Sequence, residues 1–269
     1  MFKIIATDLD GTLLNSKQTV SDRTVEILKE ACEKGVEFVI CTGRMEQSIE
    51  FLLPKLPFCH YAVTCMGAEV YDLYEKKRVF FAPLEEKHTM ALAKYALERN
   101  VHMNIYIDNV LYTNSYDKYS ERYLRETTTD ALVIEGDVLE FLKGKKLSKF
   151  LMIGEVEDIK VHFKNVEEMI NGEANVCASN ERYVEVSNLM AQKDITLNAF
   201  VESLGYKRDE LIVFGDSGND VSMLKNTGFA VCVGNGWDSA KAASNVICES
   251  NDNDGVARTV ERLILERLR

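Results

Sequence analysis

Short apolar runs alternate with longer amphipathic stretches along the first third of the chain. The runs are almost continuously apolar, which is typical of strands buried on both faces of a parallel sheet. Between the first two runs, residues 21–34 repeat their apolar side chains at helical spacing, with Ser21 placed as an N-cap and Gly35 after the end. The pattern predicts strands at 2–7, 36–42 and 61–65 and helices at 21–34 and 45–53.

The alternation gives way to hairpins in the middle of the chain. Apolar runs at 68–72 and 78–82 flank a polar turn, and two later pairs of runs flank Asp108-Asn109 and Asn180-Glu181-Arg182. A helix is predicted over 85–99. Hairpins with helices between them are typical of an α+β domain. The two later hairpins are predicted to join 102–107 to 110–114 and 175–179 to 183–187.

The alternation of short apolar runs with amphipathic stretches returns after Lys193. The predicted elements are helices at 194–203, 220–225 and 255–268 and strands at 211–214, 229–233 and 245–248. Because both ends of the chain carry the α/β pattern, we expect them to form one core from residues 1–83 and 188–269. An α+β domain is then inserted at residues 84–187.

Composition narrows the classes of protein. With 46% hydrophobic residues over 269 positions, the chain is able to bury a core. A formal net charge of −11 is unfavourable for binding a nucleic-acid backbone. No apolar run reaches the ~18 residues that a membrane span needs, and Asp8 comes too early for a signal peptide. We expect a cytoplasmic protein that binds neither nucleic acid nor membrane, and nothing in the chain indicates an oligomeric state.

Polar residues that carry chemistry follow three of the predicted strands. Because the carboxyl ends of parallel strands meet at one edge of a sheet, we expect these residues to share a pocket. The end of a predicted strand or the start of a predicted helix provides Asp8, Asp10, Thr42, Lys193, Asp216 and Asp220.

The charge of this set predicts a metal ion. Carboxylates that crowd into one pocket are costly to bury unless a cation compensates them. Oxygen ligands suit Mg²⁺, whereas the 7 cysteines and 4 histidines are scattered without the spacing of a zinc site. The sequence therefore predicts a magnesium site at this edge.

The same residues fit transfer of a phosphoryl group. Asp8 is placed to attack phosphorus, and Asp10, two residues on, points to the same side to protonate the leaving oxygen and then activate water. The Gly11 N–H and the Thr42 hydroxyl are candidates to hold the phosphoryl oxygens, with Lys193 neutralising their charge.

Four segments resemble the motifs of the haloacid dehalogenase superfamily. The tail also resembles its Cof-type sugar-phosphatase branch, so the resemblance covers essentially the whole chain, and the insert resembles that branch's C2-type cap. The four motif segments are Asp8-Leu9-Asp10-Gly11-Thr12, Cys41-Thr42-Gly43-Arg44, Lys193 and residues 215–224 (GDSGNDVSML), and the tail segments are residues 233–236 (VGNG) and 251–257 (NDNDGVA).

The resemblance implies a Rossmann-like, doubly wound parallel sheet with an inserted α+β cap, and Mg²⁺-dependent hydrolysis of small phosphorylated metabolites, such as sugar phosphates, through an aspartyl-phosphate. It implies Asp8 as nucleophile and Asp10 as general acid and base. It also implies phosphate binding by Gly11, Thr42, Gly43 and Lys193, metal ligation by Asp8, the Asp10 carbonyl and Asp216, and support from Asn219 and Asp220.

The chain departs from the family pattern at a few positions. Met66 stands where such sequences usually have Asn, so we expect a polar contact near the site to be missing. Asp194 follows Lys193 where Gly is usual. Arg44 is open between a place near the phosphate and a solvated helix start. Trp237, which follows a predicted strand, is expected at the same edge as the acidic residues.

Two other functions use similar residues. A phosphomutase shares Asp8 and Asp10 and returns the phosphoryl group to a sugar, so the sequence leaves it open. A phospho-accepting signalling module is disfavoured because its acceptor acid ends strand three, and the third strand here ends in Thr64-Cys65-Met66.

Overall fold

The computed structural model of the protein describes residues 1–127, 129–178 and 181–268. The chain divides into two compact units. The first unit comprises Met1–Arg44, Ile49–Phe80 and Gln192–Arg269, and the second comprises Met45–Ser48 and Phe81–Ala191.

The described residues form strands and helices along the whole chain. The strands are β1 Ile4–Thr7, β2 Glu37–Cys41, β3 Tyr61–Thr64, β4 Glu69–Asp72, β5 Lys77–Phe81, β6 His102–Ile107, β7 Val110–Thr113, β8 Ala131–Val133, β9 Lys149–Ile153, β10 Asn175–Cys177, β11 Tyr183–Ser187, β12 Leu211–Gly215, β13 Phe229–Cys232 and β14 Val246–Ile247. The α-helices are α1 Asp22–Glu33, α2 Glu86–Glu98, α3 Lys118–Thr127, α4 Val138–Leu142, α5 Val156–Ile170, α6 Lys193–Ser203, α7 Val221–Asn226, α8 Asp238–Ala242, α9 Gly255–Val260 and α10 Glu266–Leu268.

The first unit is built on an eight-stranded sheet in the order β14-β13-β12-β1-β2-β3-β4-β5. The strands from β14 to β3 pair in parallel, and β4 runs antiparallel to β3. Both faces are buried, because successive residues such as Ile4 and Ile5 enter different apolar clusters. Helices α1 and α9 contribute to one cluster and α6 and α7 to the other. This arrangement confirms the doubly wound α/β core.

The second unit contains a six-stranded sheet in the order β10-β11-β9-β6-β7-β8. Its pairs are antiparallel except for β7 and β8, which run parallel. Phe150 and Val184 of the sheet share one apolar cluster with Leu92 of α2 and Val166 of α5. The unit is an α+β fold, as the hairpin pattern predicts.

Capping confirms the first predicted helix. The Thr24 N–H donates to Ser21 Oγ at 3.1 Å, so Ser21 is the N-cap of α1. Gly35 follows the helix with a φ of 86°, a left-handed conformation that suits glycine at a helix end. Of the hairpin predicted from 175–179 to 183–187, the structure has β10 and β11, whereas Ser179 and Asn180 lie outside the described residues.

The helix predicted over 45–53 is present, but it is not an α-helix. The segment is a 3-10 helix over Glu46–Leu52, with i to i−3 bonds such as Ser48 N–H to Met45 O at 3.1 Å. Its buried side chains, Met45, Ser48, Ile49 and Leu52, recur every three to four residues. That spacing fits both helix types, so the pattern did not distinguish them.

Among the described residues, no helix is both long enough and apolar enough to cross a membrane.

Candidate active site

Three buried carboxylates meet at the carboxyl end of the parallel sheet. Asp8 directly follows β1, and Asp216 and Asp220 follow β12, which pairs in parallel with β1. Oxygens of the three carboxylates lie within 4.8 Å of one another. The sequence predicted this meeting, because neighbouring parallel strands deliver their ends to one edge.

Lys193 is the counter-charge of this cluster. It is the first residue of α6 and only 1% exposed. Its Nζ donates to Asp8 Oδ1 and to Asp220 Oδ1, each at 2.7 Å. The other oxygen of Asp220 accepts the N–H groups of Asp216 at 3.1 Å and Ser217 at 3.2 Å. Asp220 therefore fixes both Lys193 and the loop that carries Asp216.

The three carboxylates carry more negative charge than one lysine offsets, and the pKa values of two of them are raised. Burial raises the pKa of Asp8 well above its usual range, although Lys193 acts against this rise. Burial, with repulsion from Asp220, raises the pKa of Asp216 to about 6. Burial alone would lower the pKa of Lys193, but Asp220 and Asp8 outweigh it and raise that pKa. An added cation would relieve this excess charge.

The turn after β1 is shaped around Asp216. Gly11 has a φ of 77°, and a Cβ there would lie 2.5 Å from Asp216 Oδ2. The hydroxyl of the buried Thr12 donates to Asp216 Oδ1 at 3.0 Å. Sequence reasoning placed Thr12 in the motif but gave it no role, since its partner is 204 positions away.

Asp10 lies outside the cluster of three carboxylates that the described residues form. Its side chain is 48% exposed and forms an ion pair with Arg44. Arg44 Nε and Nη2 donate to Asp10 Oδ2 and Oδ1, each at 2.7 Å. The sequence left the role of Arg44 open, and the structure places it on the predicted acid and base.

The loop after β2 holds the predicted phosphate binders. Thr42 is buried, and its Oγ1 accepts the Arg44 N–H at 3.2 Å. Gly43 lies against Met66, whose Sδ is 2.9 Å from the position of a Cβ on that glycine. Asn219 Nδ2 in turn donates to Met66 Sδ at 3.8 Å. A thioether therefore joins the loops where we expected a missing polar contact.

The remaining predicted residues also lie in the first unit. The Ser217 hydroxyl donates to Asn219 Oδ1 at 2.7 Å. Asp194 is buried and accepts Asn226 Nδ2 at 2.8 Å, so it links α6 to the end of α7. The backbone N–H of Trp237 donates to Asp216 O at 2.7 Å, which places Trp237 beside the acidic loop.

One contact at this edge was missed. Asn235 Nδ2 donates to Gly11 O at 2.7 Å and thereby holds the turn between Asp10 and Thr12. The signal available in the sequence was the position of Asn235 in the tail segment 233–236, directly after β13.

Known proteins resemble this chain over nearly its whole length. A family model described as haloacid dehalogenase-like hydrolase matches residues 5–260. The 5-amino-6-(5-phospho-D-ribitylamino)uracil phosphatase YcsE of Bacillus subtilis is 30% identical, over 98% of this chain and 96% of its own. The pyridoxal phosphate phosphatase YbhA of Escherichia coli is 27% identical, over 96% and 97%. A crystal structure of a haloacid dehalogenase-like hydrolase from Bacteroides thetaiotaomicron superposes with a TM-score of 0.90 at 28% identity, over 98% of this chain and 100% of that one.

Proposed function

The chain belongs to the haloacid dehalogenase-like hydrolase family, in its Cof-type branch, and is a phosphoric monoester hydrolase; we propose that it releases phosphate from small phosphorylated metabolites through an aspartyl-phosphate on Asp8. The observation that carries the proposal is the buried Asp8 carboxylate held by Lys193 at 2.7 Å, at the end of a sheet strand. A fixed, desolvated carboxylate beside a fixed cation suits attack on an anionic ester.

In the first step, an Asp8 oxygen forms a bond to phosphorus while the bond from phosphorus to the ester oxygen breaks. Asp10 gives its proton to that leaving oxygen, so the product leaves as a neutral alcohol. Lys193 stays charged throughout, because Asp220 and Asp8 raise its pKa, and it offsets the charge on the phosphoryl oxygens.

In the second step, the Asp10 carboxylate takes a proton from a water molecule as the water oxygen bonds to phosphorus. The bond from phosphorus to Asp8 breaks, which releases inorganic phosphate and restores both carboxyl groups. The Gly11 N–H, the Thr42 hydroxyl and the Gly43 backbone are the groups we assign to the phosphoryl oxygens, together with Lys193. Thr42 suits this role because its oxygen accepts the Arg44 N–H at 3.2 Å, which leaves its own O–H to donate.

The donor set fits Mg²⁺. Three buried carboxylates with oxygens within 4.8 Å carry more charge than Lys193 offsets, and oxygen ligands suit a hard cation. We assign the Asp8 and Asp216 carboxylates and the Asp10 carbonyl as its ligands, with Asn219 and Asp220 in support. When bound, Mg²⁺ supplies positive charge that reduces the repulsion between Asp8 and a phosphate anion.

We assign the catalytic core to residues 1–83 and 188–269, and the choice of substrate to an inserted domain at residues 84–187. All the proposed site residues lie in the first unit, in Met1–Arg44 and Gln192–Arg269. The second unit has its own sheet and its own apolar core. A domain that supplies no group for the chemistry is free to vary with the organic part of the substrate.

The names of two relatives suggest the first substrates to assay. One is a phosphatase of a phosphoribitylamino uracil and the other of pyridoxal phosphate. Both compounds join a phosphate monoester to a nitrogen heterocycle. We propose small esters of this kind, together with sugar phosphates, as the substrate class.

The test is release of free phosphate from a panel of sugar phosphates, pyridoxal phosphate, flavin mononucleotide and nucleotides with Mg²⁺. We expect Asp8→Asn to abolish release, and Asp209→Asn, at an exposed position of the first unit outside the site, to leave it unchanged. Turnover of Asp8→Asn at the wild-type rate would contradict the proposal. Isomer formation without free phosphate would replace hydrolysis with a mutase reaction.

A further inference from the structure

Arg44 donates hydrogen bonds to both oxygens of the Asp10 carboxylate. The two bonds are of equal length, 2.7 Å from Nε to Oδ2 and 2.7 Å from Nη2 to Oδ1. Bidentate bonds between opposite charges fix the plane and the direction of a carboxylate, which a single bond does not. The rotamer of Asp10 is therefore set by Arg44.

Arg44 is itself held in place. Its side chain is only 10% exposed, in contrast to 48% for Asp10. Nη2 also donates to Gln18 Oε1 at 2.9 Å, and the guanidinium lies 5.8 Å from the centre of the Phe51 ring. The more buried and more restrained partner positions the more exposed one.

The backbone of Arg44 also contacts Thr42, which is one of the proposed phosphate-binding residues. Its N–H donates to the Thr42 hydroxyl oxygen at 3.2 Å. The same residue thus orients the group assigned to the phosphoryl oxygens and the group assigned to the proton. Any shift of Arg44 would change the placement of Asp10 relative to Thr42.

We propose that Arg44 is the positioning residue of Asp10, fixing the carboxyl group that exchanges the proton with the leaving oxygen and with water. This inference rests on the proposed function, which assigns that proton to Asp10. Arg44 stays charged at any working pH and so exchanges no proton itself. When one Asp10 oxygen turns to the substrate, the second hydrogen bond remains and keeps the group in register.

The first test compares leaving groups. An alkyl phosphate needs a proton on its leaving oxygen, whereas p-nitrophenyl phosphate releases a stable phenolate without one. We expect Arg44→Ala to lower kcat/KM for a sugar phosphate about 10²-fold, in the range of general acid catalysis. The value for p-nitrophenyl phosphate is expected to change only severalfold. The control is Arg23→Ala, which breaks an exposed ion pair with Glu261 and should change neither value.

The second test is chemical rescue of the same variant. Guanidinium ion added to Arg44→Ala should restore the sugar phosphate rate, because it reproduces the planar fork. Arg44→Lys keeps the charge without the fork, so it should remain impaired and should not respond. Full activity of Arg44→Lys would overturn the inference.

A milder variant covers the case in which Arg44→Ala does not fold. Gln18 is exposed and has a φ of 58°, so Gln18→Gly removes the side chain without backbone strain. Loss of the bond to Nη2 should lower the sugar phosphate rate several-fold and spare p-nitrophenyl phosphate. An equal loss on both substrates would indicate a structural effect and would contradict the inference.

Asp10→Asn separates this inference from the proposed function. If that variant shows the leaving-group selectivity and the Arg44 variants lower both rates equally, only the positioning role of Arg44 is wrong. If Asp10→Asn retains full activity on both substrates, the role of Asp10 in the proposed function is wrong, and the role of Arg44 with it.

Discussion

Lys193 shows at the level of one residue how the first unit accommodates buried acids. It bridges Asp8 and Asp220 at 2.7 Å from each while only 1% exposed. Removing the partner of a buried charge strongly destabilises the folded state. Removing one member of an exposed ion pair has a much smaller effect.

We expect Lys193→Met to lower the free energy of unfolding by about 3 kcal/mol, the order seen when a buried ion pair loses one member. The measurement is urea unfolding at neutral pH without divalent metal. The matched control is Lys29→Met, which removes an exposed lysine 3.7 Å from Glu33 and should change stability little. Equal losses for the two variants would show that Lys193 does not compensate the cluster.

Asp216 makes stability depend on pH in a defined direction. Its pKa is raised from 3.8 to about 6, first by burial, so the folded state holds a proton that the unfolded state has lost. The contribution of this proton to the free energy of unfolding is fully present below about pH 4 and is lost as the pH rises through about 6.

We therefore expect Asp216→Asn to gain Tm relative to the natural protein as the pH rises from 4 to 7 without metal. The asparagine can still accept the Thr12 hydroxyl, which now lies 3.0 Å from Asp216 Oδ1. The exposed Asp130→Asn serves as control, and its Tm difference should be independent of pH. A constant difference for Asp216→Asn would contradict the raised pKa.

The candidate site was predictable where it depends on strand ends and not where it depends on contacts between individual side chains. Asp8 and Asp216 come together because β1 and β12 are parallel neighbours. The fork from Arg44 to Asp10 and the bond from Thr12 to Asp216 need the side-chain positions of the folded chain. Neither leaves a local signal in the sequence.

At the level of elements, the turn after β1 combines two constraints on one residue. Gly11 has a φ of 77°, and its missing Cβ gives Asp216 room, since a Cβ would lie 2.5 Å from Oδ2. Gly35 after α1 has a similar φ of 86° with nothing within 4 Å of a Cβ. Both glycines therefore have a left-handed backbone, but only at Gly11 would a Cβ also cause a steric conflict.

We expect Gly35→Ala to cost about 1 kcal/mol of stability, from the left-handed backbone alone. Gly11→Ala should cost more and should also displace Asp216, so that phosphate release falls further than stability explains. Thermal unfolding and the phosphate assay measure the two effects. The same small change in both variants would show that Asp216 moves aside without cost.

The strength of the apolar pattern did not by itself decide which elements were predicted. The core strands are continuous apolar runs that become fully buried, as in β12 over Leu211–Gly215. Strand β9 over Lys149–Ile153 is also fully buried but was not among the predicted elements, and helix α3 over Lys118–Thr127 was missed as well. A short apolar run fits both a buried strand and a segment of a buried helix, so the pattern alone left these elements of the second unit unassigned.

At the level of the whole molecule, one tryptophan among 269 residues provides a probe of the site. Trp237 has a 59% exposed side chain, and its backbone N–H donates to Asp216 O at 2.7 Å. A change at Asp216 should therefore reach it.

We expect the fluorescence of Trp237 to change when Mg²⁺ or phosphate is added. Asp216→Asn should suppress the response to Mg²⁺, while Asp130→Asn should retain it. Emission that stays constant at saturating Mg²⁺ and phosphate would show that Trp237 does not respond to binding at the site.

The pairing of β1 with β12 also sets when the enzyme becomes active during its synthesis. Ile4 pairs with Leu211, so the ribosome has made most of the chain before the sheet can be completed beside β1. The entropic cost of joining two segments grows only slowly with their separation along the chain, but pairing of distant segments slows folding. A nascent chain holds Asp8 and Asp10 long before it holds Asp216 and Asp220, and it cannot assemble the site until its last third has emerged.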